Sequence, residues 1–299
     1  MIKIKNVSKY YGAVKSLDGV SAEIGNGSVF GLVGSNGSGK STLLRILCGV
    51  FRPDGGEVFY DGVSVYENPR LKDEILYLSD DQFFLPSGTL SDMAALFAAS
   101  YSHFSREKFD RLVALFGLDP QRKLQTFSKG MQKQAAILLA LSAEPKVLLC
   151  DETFDGLDPV MRQTVKKLLA DAVAERGLTA IIASHNLREL EDICDHIGLL
   201  HKGGILFESE IDALKENIHT VQAVFDRELS PEELKTLGAV NFKKRGSMVT
   251  AVVRGTYAEV EAKMQALSPS FFEIIPLTLE EIFISEMEER GYDCTKIIL

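Results

Sequence analysis

Gly34-Ser35-Asn36-Gly37-Ser38-Gly39-Lys40-Ser41-Thr42 is the stretch from which the fold is read. An apolar run, residues 28–33, precedes it, and Leu43, Leu44, Ile46 and Leu47 follow at helical spacing. The order is strand, glycine-rich loop, helix. The pattern G-x-x-x-x-G-K-[ST] suits a phosphate. Glycines let backbone N–H groups close around a bulky anion, and the helix beginning near Gly39 points its positive end at it. Lys40 supplies a full charge for the outer phosphates, and Ser41 a hydroxyl for a bound Mg²⁺.

Further along, two short apolar runs end in polar residues. Val147-Leu148-Leu149-Cys150 runs into Asp151 and Glu152, and Ala180-Ile181-Ile182-Ala183 into Ser184 and His185. Such runs read as parallel strands buried on both faces, whose carboxyl ends are where ligands bind. Asp151 is placed to hold Mg²⁺ through water, Glu152 to orient or deprotonate an attacking water, and His185 to touch a γ-phosphate. Residues 160–175 between the two runs, and 90–124 before them, read as helical. Strands alternating with helices give an α/β sheet with crossovers.

After residue 211 the character changes. Strands over 220–225, 240–244, 248–253 and 271–275 and helices over 231–237 and 257–267 follow the order β-α-β-β-α-β, with a last helix over 279–288. That order is the split βαβ pattern of ferredoxin-like domains. We therefore expect two domains, residues 1–211 and 212–299, the second a small α+β module with no visible chemistry. His219 there is expected to be structural.

Composition narrows the partners. A net charge of −9 argues against nucleic acid, which is met by a basic footprint. Cys48, Cys150, Cys194 and Cys294 show no metal-ligand spacing and are expected to be reduced thiols. Met1-Ile2-Lys3-Ile4-Lys5 alternates like a strand and lacks the apolar core of a leader. The longest apolar run, residues 135–141, falls well short of the roughly 20 residues that span a bilayer. The chain is expected neither to enter nor to cross a membrane by itself.

Together these residues resemble the nucleotide-binding subunit of the ATP-binding cassette (ABC) family. The deciding addition is Phe127-Ser128-Lys129-Gly130-Met131-Gln132-Lys133-Gln134, which is similar to the family's Leu-Ser-Gly-Gly-Gln loop. Ser128 is a good N-cap, and the helix after it points its N-terminus at an anion. Tyr11 matches the family's adenine-stacking aromatic. Phe154-Asp155-Gly156-Leu157-Asp158 matches its D-loop, and His185 its switch histidine. Phe127, Lys129 and Met131 depart from the usual loop while Ser128 and Gly130 keep to it, and this Ser-Lys-Gly-Met form resembles a bacterial export branch that includes antibiotic-resistance ATPases. Thr153 stands where proline is usual. The family's Q-loop glutamine falls on Asp80, with Gln82 two residues later, and either is placed to approach Mg²⁺.

The resemblance covers about residues 1–210 and implies a P-loop ATPase core with an antiparallel β-subdomain and a helical insertion over about 88–128. It implies ATP and Mg²⁺ as ligands. Ser35 to Thr42 would hold ATP from one subunit, and Ser128, Gly130 and Asp158 from a second, like or unlike. It also implies a membrane-spanning permease as partner and a place at the inner face of the cell membrane. Two alternatives stay open. One is a cassette ATPase outside transport, in metal-cluster assembly or on ribosomes or nucleic acid, separated by whether a multi-span membrane protein co-purifies. The other is a small-molecule kinase, separated by phosphate release without an acceptor.

Overall fold

The computed structural model describes residues 1–227, 230, 233 and 237–289. The chain divides into two compact units, Met1–Glu208 and Ser209–Leu299.

The first unit holds two sheets. β1 (Ile2–Tyr11), β2 (Val14–Ile24), β4 (Gly55–Tyr60) and β5 (Val63–Ser64) form an antiparallel sheet in the order β2-β1-β4-β5. The strand announced by the alternation of residues 1–5 runs on much further: β1 and β2 are ten and eleven residues long. Their pairing shifts register three times, and Asn6 and Gly19 take positive φ. Each shift breaks the alternation by which a long strand announces itself.

The second sheet contains β3 (Val29–Val33), β6 (Ile75–Leu78), β7 (Val147–Asp151), β8 (Thr179–Ser184), β9 (His196–His201) and β10 (Gly204–Glu210), in the order β10-β9-β3-β8-β7-β6. Strands β6, β7, β8, β3 and β9 run parallel, so their carboxyl ends share one edge. Every residue of β3, β7 and β8 is buried, as a sheet covered on both faces requires. Helix α1 (Lys40–Leu47) buries Leu43, Leu44, Ile46 and Leu47 in a core that joins it to both sheets, from Ile2 and Leu17 to Leu149 and Ile181. At about 1.5–3 kcal/mol per fully buried side chain, this packing fixes the direction in which α1 aims its N-terminus.

Between β4 and β7 lie α2 (Pro69–Asp73), α3 (Leu90–Ser100), α4 (Arg106–Phe116) and α5 (Lys129–Ser142). A Thr89–Asp92 capping box starts α3, and Ser105 caps α4. The apolar run 135–141 is the wholly buried second half of α5. Helices α6 (Pro159–Arg176) and α7 (Leu187–Glu191) follow β7 and β8. Among the described residues no helix is long and apolar enough to cross a membrane.

The second unit contains α8 (Ile211–Glu216), β11 (Ile218–Val224), β12 (Ala239–Arg245), β13 (Met248–Arg254), α9 (Tyr257–Leu267), β14 (Phe271–Pro276) and α10 (Leu279–Glu289). The helix read over 231–237 lies outside the described residues except at Glu233 and Leu237. The sheet order is β12-β13-β11-β14, and β13 is antiparallel to both its neighbours. Strands β11 and β12 therefore run parallel with β13 between them, which is the split βαβ arrangement. Val221 and Val253 pack with Val260 and Met264 of α9, while Val252 joins Ile218 and Ile282 of α10 in a second cluster.

Candidate nucleotide-binding site

The glycine-rich loop leaves β3 and enters α1. A Cβ on Gly34 would lie 2.4 Å from the Leu200 carbonyl oxygen and 2.5 Å from Ser38 Oγ. Gly39 has φ +110°, and a Cβ there would lie 2.5 Å from the Ser16 carbonyl oxygen. These two glycines are demanded by the protein's own backbone before any ligand arrives. Gly37, at φ +80° with nothing within 4 Å, faces open space, where only its conformation calls for glycine.

Ser35, Asn36, Gly37, Ser38, Gly39, Lys40, Ser41 and Thr42 line a cleft of about 290 Å³ together with Ser16, Asp80, Asp151 and Glu152. The residues read from the end of β7 and from the loop after β6 thus meet the glycine loop over one helix N-terminus, while His185, from the end of β8, does not line the cleft. Lys40 is 5% exposed. Its Nζ donates to the Gly34 carbonyl at 2.6 Å and lies 3.4 Å from Glu152 Oε1. Glu152 Oε2 in turn faces His185 Nδ1 at 2.9 Å. Lys40, Glu152 and His185 therefore form a chain of alternating charge and proton-bearing groups across the cleft.

Asp151 sits deeper. Its Oδ2 accepts from Tyr77 Oη at 2.9 Å, and burial with the neighbouring carboxylate pushes the Tyr77 phenol up. The phenol therefore stays a donor. Asp151 Oδ1 and Ser38 Oγ are buried with no hydrogen-bond partner. An unpartnered carboxylate oxygen beside Lys40 and Ser41 fits a divalent cation, with its hard oxygen ligands. Burying such an oxygen without a partner costs on the order of 1–3 kcal/mol.

Glu152 holds φ +48°, a conformation that costs a side chain about 1–3 kcal/mol and concentrates at functional sites. Its N–H donates to the Ala183 carbonyl at 2.9 Å, which ties the end of β7 to the end of β8.

The other sequence-predicted residues lie apart from this cleft. Ser128 caps α5, accepting from Met131 N at 3.2 Å, and Asp158 caps α6, accepting from Met161 N at 2.9 Å. Neither lines the phosphate cleft, nor does Gly130. Gly130 lines a neighbouring cleft of about 430 Å³ with Asp80, Gln82, Lys133 and Asp155. Asp80 lines both clefts. Gln82 lines only the second, and its amide donates to the Ser79 carbonyl of its own loop. Tyr11 ends β1, half exposed, with its ring edge-on to Phe51 at 6.3 Å, and is not among the residues that line the phosphate cleft.

The three described cysteines are buried thiols, and burial pushes Cys150 up to about 12. Cys294 lies outside the described residues. His219 is buried, with Nδ1 3.1 Å from the Gly255 carbonyl.

Residues 17–155 match the ABC transporter family model. The ABC transporter ATP-binding protein YtrB of Bacillus subtilis (strain 168) is 30% identical over 286 residues, 96% of this chain and 98% of that protein. The chain belongs to the ABC transporter ATP-binding proteins. The bacitracin transport ATP-binding protein BcrA of Bacillus licheniformis is 31% identical over 72% of both chains. A methionine import ATP-binding protein, MetN of Mannheimia succiniciproducens, is 31% identical over 79% of this chain and 74% of its own. Among solved structures, the dimeric bacterial ABC transporter cassette MJ0796 superposes with a TM-score of 0.64 at 25% identity, over 71% of this chain and 99% of that one. The chain is therefore an ATP-binding, ATP-hydrolysing subunit of a transporter, of a kind that pairs with a membrane permease and dimerises.

Four residues of the cassette's site escaped the sequence reading. Tyr77 sits in β6 as an ordinary aromatic. Ser16 donates to Thr42 Oγ1 at 2.9 Å from a strand whose alternation is broken. Asp155 brings a carboxylate oxygen within 4.8 Å of ligand atoms of both Glu152 and His185. Lys133 pairs with Asp80 at 3.0 Å and donates to the Glu152 carbonyl at 2.8 Å. The signal for Asp155 was its place in the D-loop motif. Lys133 gave none, since a lysine in the second turn of a helix is unremarkable.

Proposed function

We propose that this cassette drives a separate membrane-spanning permease in the export direction, from a place at the inner face of the cell membrane. The observation that carries the catalytic reading is the Lys40–Glu152–His185 chain across the phosphate cleft, 3.4 Å and 2.9 Å at its two links. The Ser-Lys-Gly-Met form of residues 128–131 supports the export branch.

The loop from Ser35 to Thr42 holds the phosphates, and Lys40 exchanges its carbonyl partners for phosphate oxygens. Ser41 and Asp151 would hold Mg²⁺, with Asp80 rather than Gln82 as the Q-loop residue. When bound, the ion would neutralise charge on the outer phosphates. Glu152 orients the attacking water and draws its proton, and His185 holds the Glu152 carboxylate in place and meets the γ-phosphate. Tyr11 stacks on adenine from the end of β1. The N-terminus of α5, with Ser128 and Gly130, meets the γ-phosphate of a second subunit, and Asp158 lies beside it. That Ser128 and Gly130 stand outside their own chain's phosphate cleft supports the two-subunit reading. Residues 212–299 act as an accessory domain for dimer or partner contact, and residues 1–211 as the nucleotide-binding domain.

The test is to express the chain with a neighbouring multi-span membrane protein of its genome. Stable co-purification, with ATPase activity lost in Glu152→Gln, is expected. A chain that turns over ATP but captures no membrane protein would favour the non-transport cassettes.

A further inference from the structure

Lys133 stands on α5, one turn beyond the cap at Ser128, and its side chain is 13% exposed. Its ammonium group makes two bonds that join different parts of the site. One goes to Asp80 Oδ1 at 3.0 Å, on the loop after β6, and the other to the main-chain carbonyl of Glu152 at 2.8 Å. The Glu152 N–H is bound to the Ala183 carbonyl at 2.9 Å, so the residue is gripped on both sides of its φ +48° backbone.

We propose that Lys133 is a positioning residue for ATP hydrolysis, with two separable tasks. Through the Glu152 carbonyl it keeps the end of β7 in the strained conformation that aims the Glu152 carboxylate into the cleft. Through Asp80 it cancels a carboxylate at the edge of the same cleft that would otherwise repel a triphosphate. Asp80 lines the phosphate cleft and its side chain is 61% exposed, so its charge stands at the edge of the space a triphosphate would enter. A strained peptide needs an external grip to persist. An uncompensated charge a few ångströms from a phosphate costs affinity even with solvent screening. Because one ammonium group on α5 does both, displacement of α5 would release the Glu152 backbone and the Asp80 charge together. The inference rests on the assignment of Glu152 as the residue that orients water.

The test compares full-length Lys133→Met, Lys133→Arg and the double variant Lys133→Met/Asp80→Asn, with Glu152→Gln as a control. Turnover at saturating MgATP is measured beside calorimetric affinity for ATP in the presence of EDTA. Lys133→Met is expected to lower kcat by roughly tenfold or more, through the released Glu152 carbonyl, and to weaken metal-free ATP binding by roughly fivefold, through the uncancelled Asp80 charge. Adding Asp80→Asn should restore the affinity but not kcat, since the Glu152 carbonyl stays unheld. Lys133→Arg, which keeps a donor for each partner, should recover most of both. The proposal is overturned if Lys133→Met changes neither quantity more than about twofold. It is also overturned if Asp80→Asn leaves the lost affinity unrestored. If Lys133→Met does not fold, Lys133→Arg decides: near-native kcat and affinity support the two-bond role, and loss of both overturns it. Glu152→Gln with near-native turnover would instead defeat the underlying assignment, whatever Lys133 does.

Discussion

The two sheets on which this protein's units are built solve the same burial problem in opposite ways. In the parallel sheet of the first unit, β3, β7 and β8 are buried at every residue, so no side chain short of a strand's last residue is open to a ligand. Polar chemistry is driven to the carboxyl ends, where Gly34, Asp151, Glu152, Ser184 and His185 gather. In the antiparallel sheet of the second unit, β11 alternates, with Val221 and Ala223 buried and Thr220 and Gln222 half-buried. Its polar residues are spread along the strands. A doubly covered parallel sheet concentrates function at one edge, and a sheet with alternating strands has no equivalent focus.

If that difference is functional, the largest effect belongs to the strand end. Glu152→Gln keeps the size and hydrogen-bonding capacity of the side chain but removes its basicity. Turnover is expected to fall by roughly 10²–10⁴-fold while ATP binding is retained. Phosphate-release assays beside calorimetry check both halves, and activity within a few-fold of wild type would break the comparison at its centre.

Lys40→Ala comes next. The loop would lose the lysine's bonds to the Gly34 and Ser35 carbonyls but keep its glycine geometry, which the close approach of Leu200 and Ser16 requires at Gly34 and Gly39. The full positive charge would be lost. Affinity for ATP is expected to weaken by roughly 10–100-fold, the scale of a charged hydrogen bond. An unchanged Kd by calorimetry would remove Lys40 from the site.

How much of this was legible follows from the same physics. The glycine loop and the two strand ends announce themselves because a parallel strand is a short unbroken apolar run with its chemistry at the end. Asp151, Glu152 and His185 could be picked out on that ground. Strands β1 and β2 could not be read at their true lengths, because Asn6 in the first and Gly19 in the second interrupt their alternation. Tyr77 and Lys133 were invisible for another reason. Each acts on a residue distant in sequence, Asp151 and Asp80 respectively, and only the fold brings them within 3.0 Å. Counting from β6 puts the Q-loop position on Asp80, with Gln82 two residues later. In the structure Asp80 lines the phosphate cleft, while the Gln82 amide folds onto the Ser79 carbonyl.

A smaller effect sharpens the contrast from the other side. Val253 is fully buried in the second unit's core, against Val221 and Val260. Val253→Ala removes two methyl groups and leaves a cavity, at a cost of about 1–3 kcal/mol. Hydrogen exchange should become faster across β11, β13 and α9, while the ATP Kd stays as it was. A change in ATP affinity of tenfold or more, in a variant that remains folded, would show that the second unit reaches the chemistry.

The smallest expected effect is the most exposed to failure. Removing everything after Glu210 keeps β10 whole, and with it all six strands of the parallel sheet and every residue that lines the phosphate cleft. The cut falls just before α8 and follows Glu208-Ser209-Glu210, a polar segment in which few buried apolar groups are severed. What is lost is the second unit's own core, from Ile218 to Ile282, which is built around β11 and β13. The 1–210 fragment is therefore expected to bind ATP with a Kd within about twofold of the full chain, since no group that touches the nucleotide has changed. Its tendency to dimerise, read by light scattering with ATP in the Glu152→Gln background, should decline if the second unit serves dimer contact. A fragment that keeps native circular dichroism and thermal unfolding yet fails to bind ATP would place part of the nucleotide site in residues 211–299. The alternating sheet could then no longer be set apart from the parallel one by function.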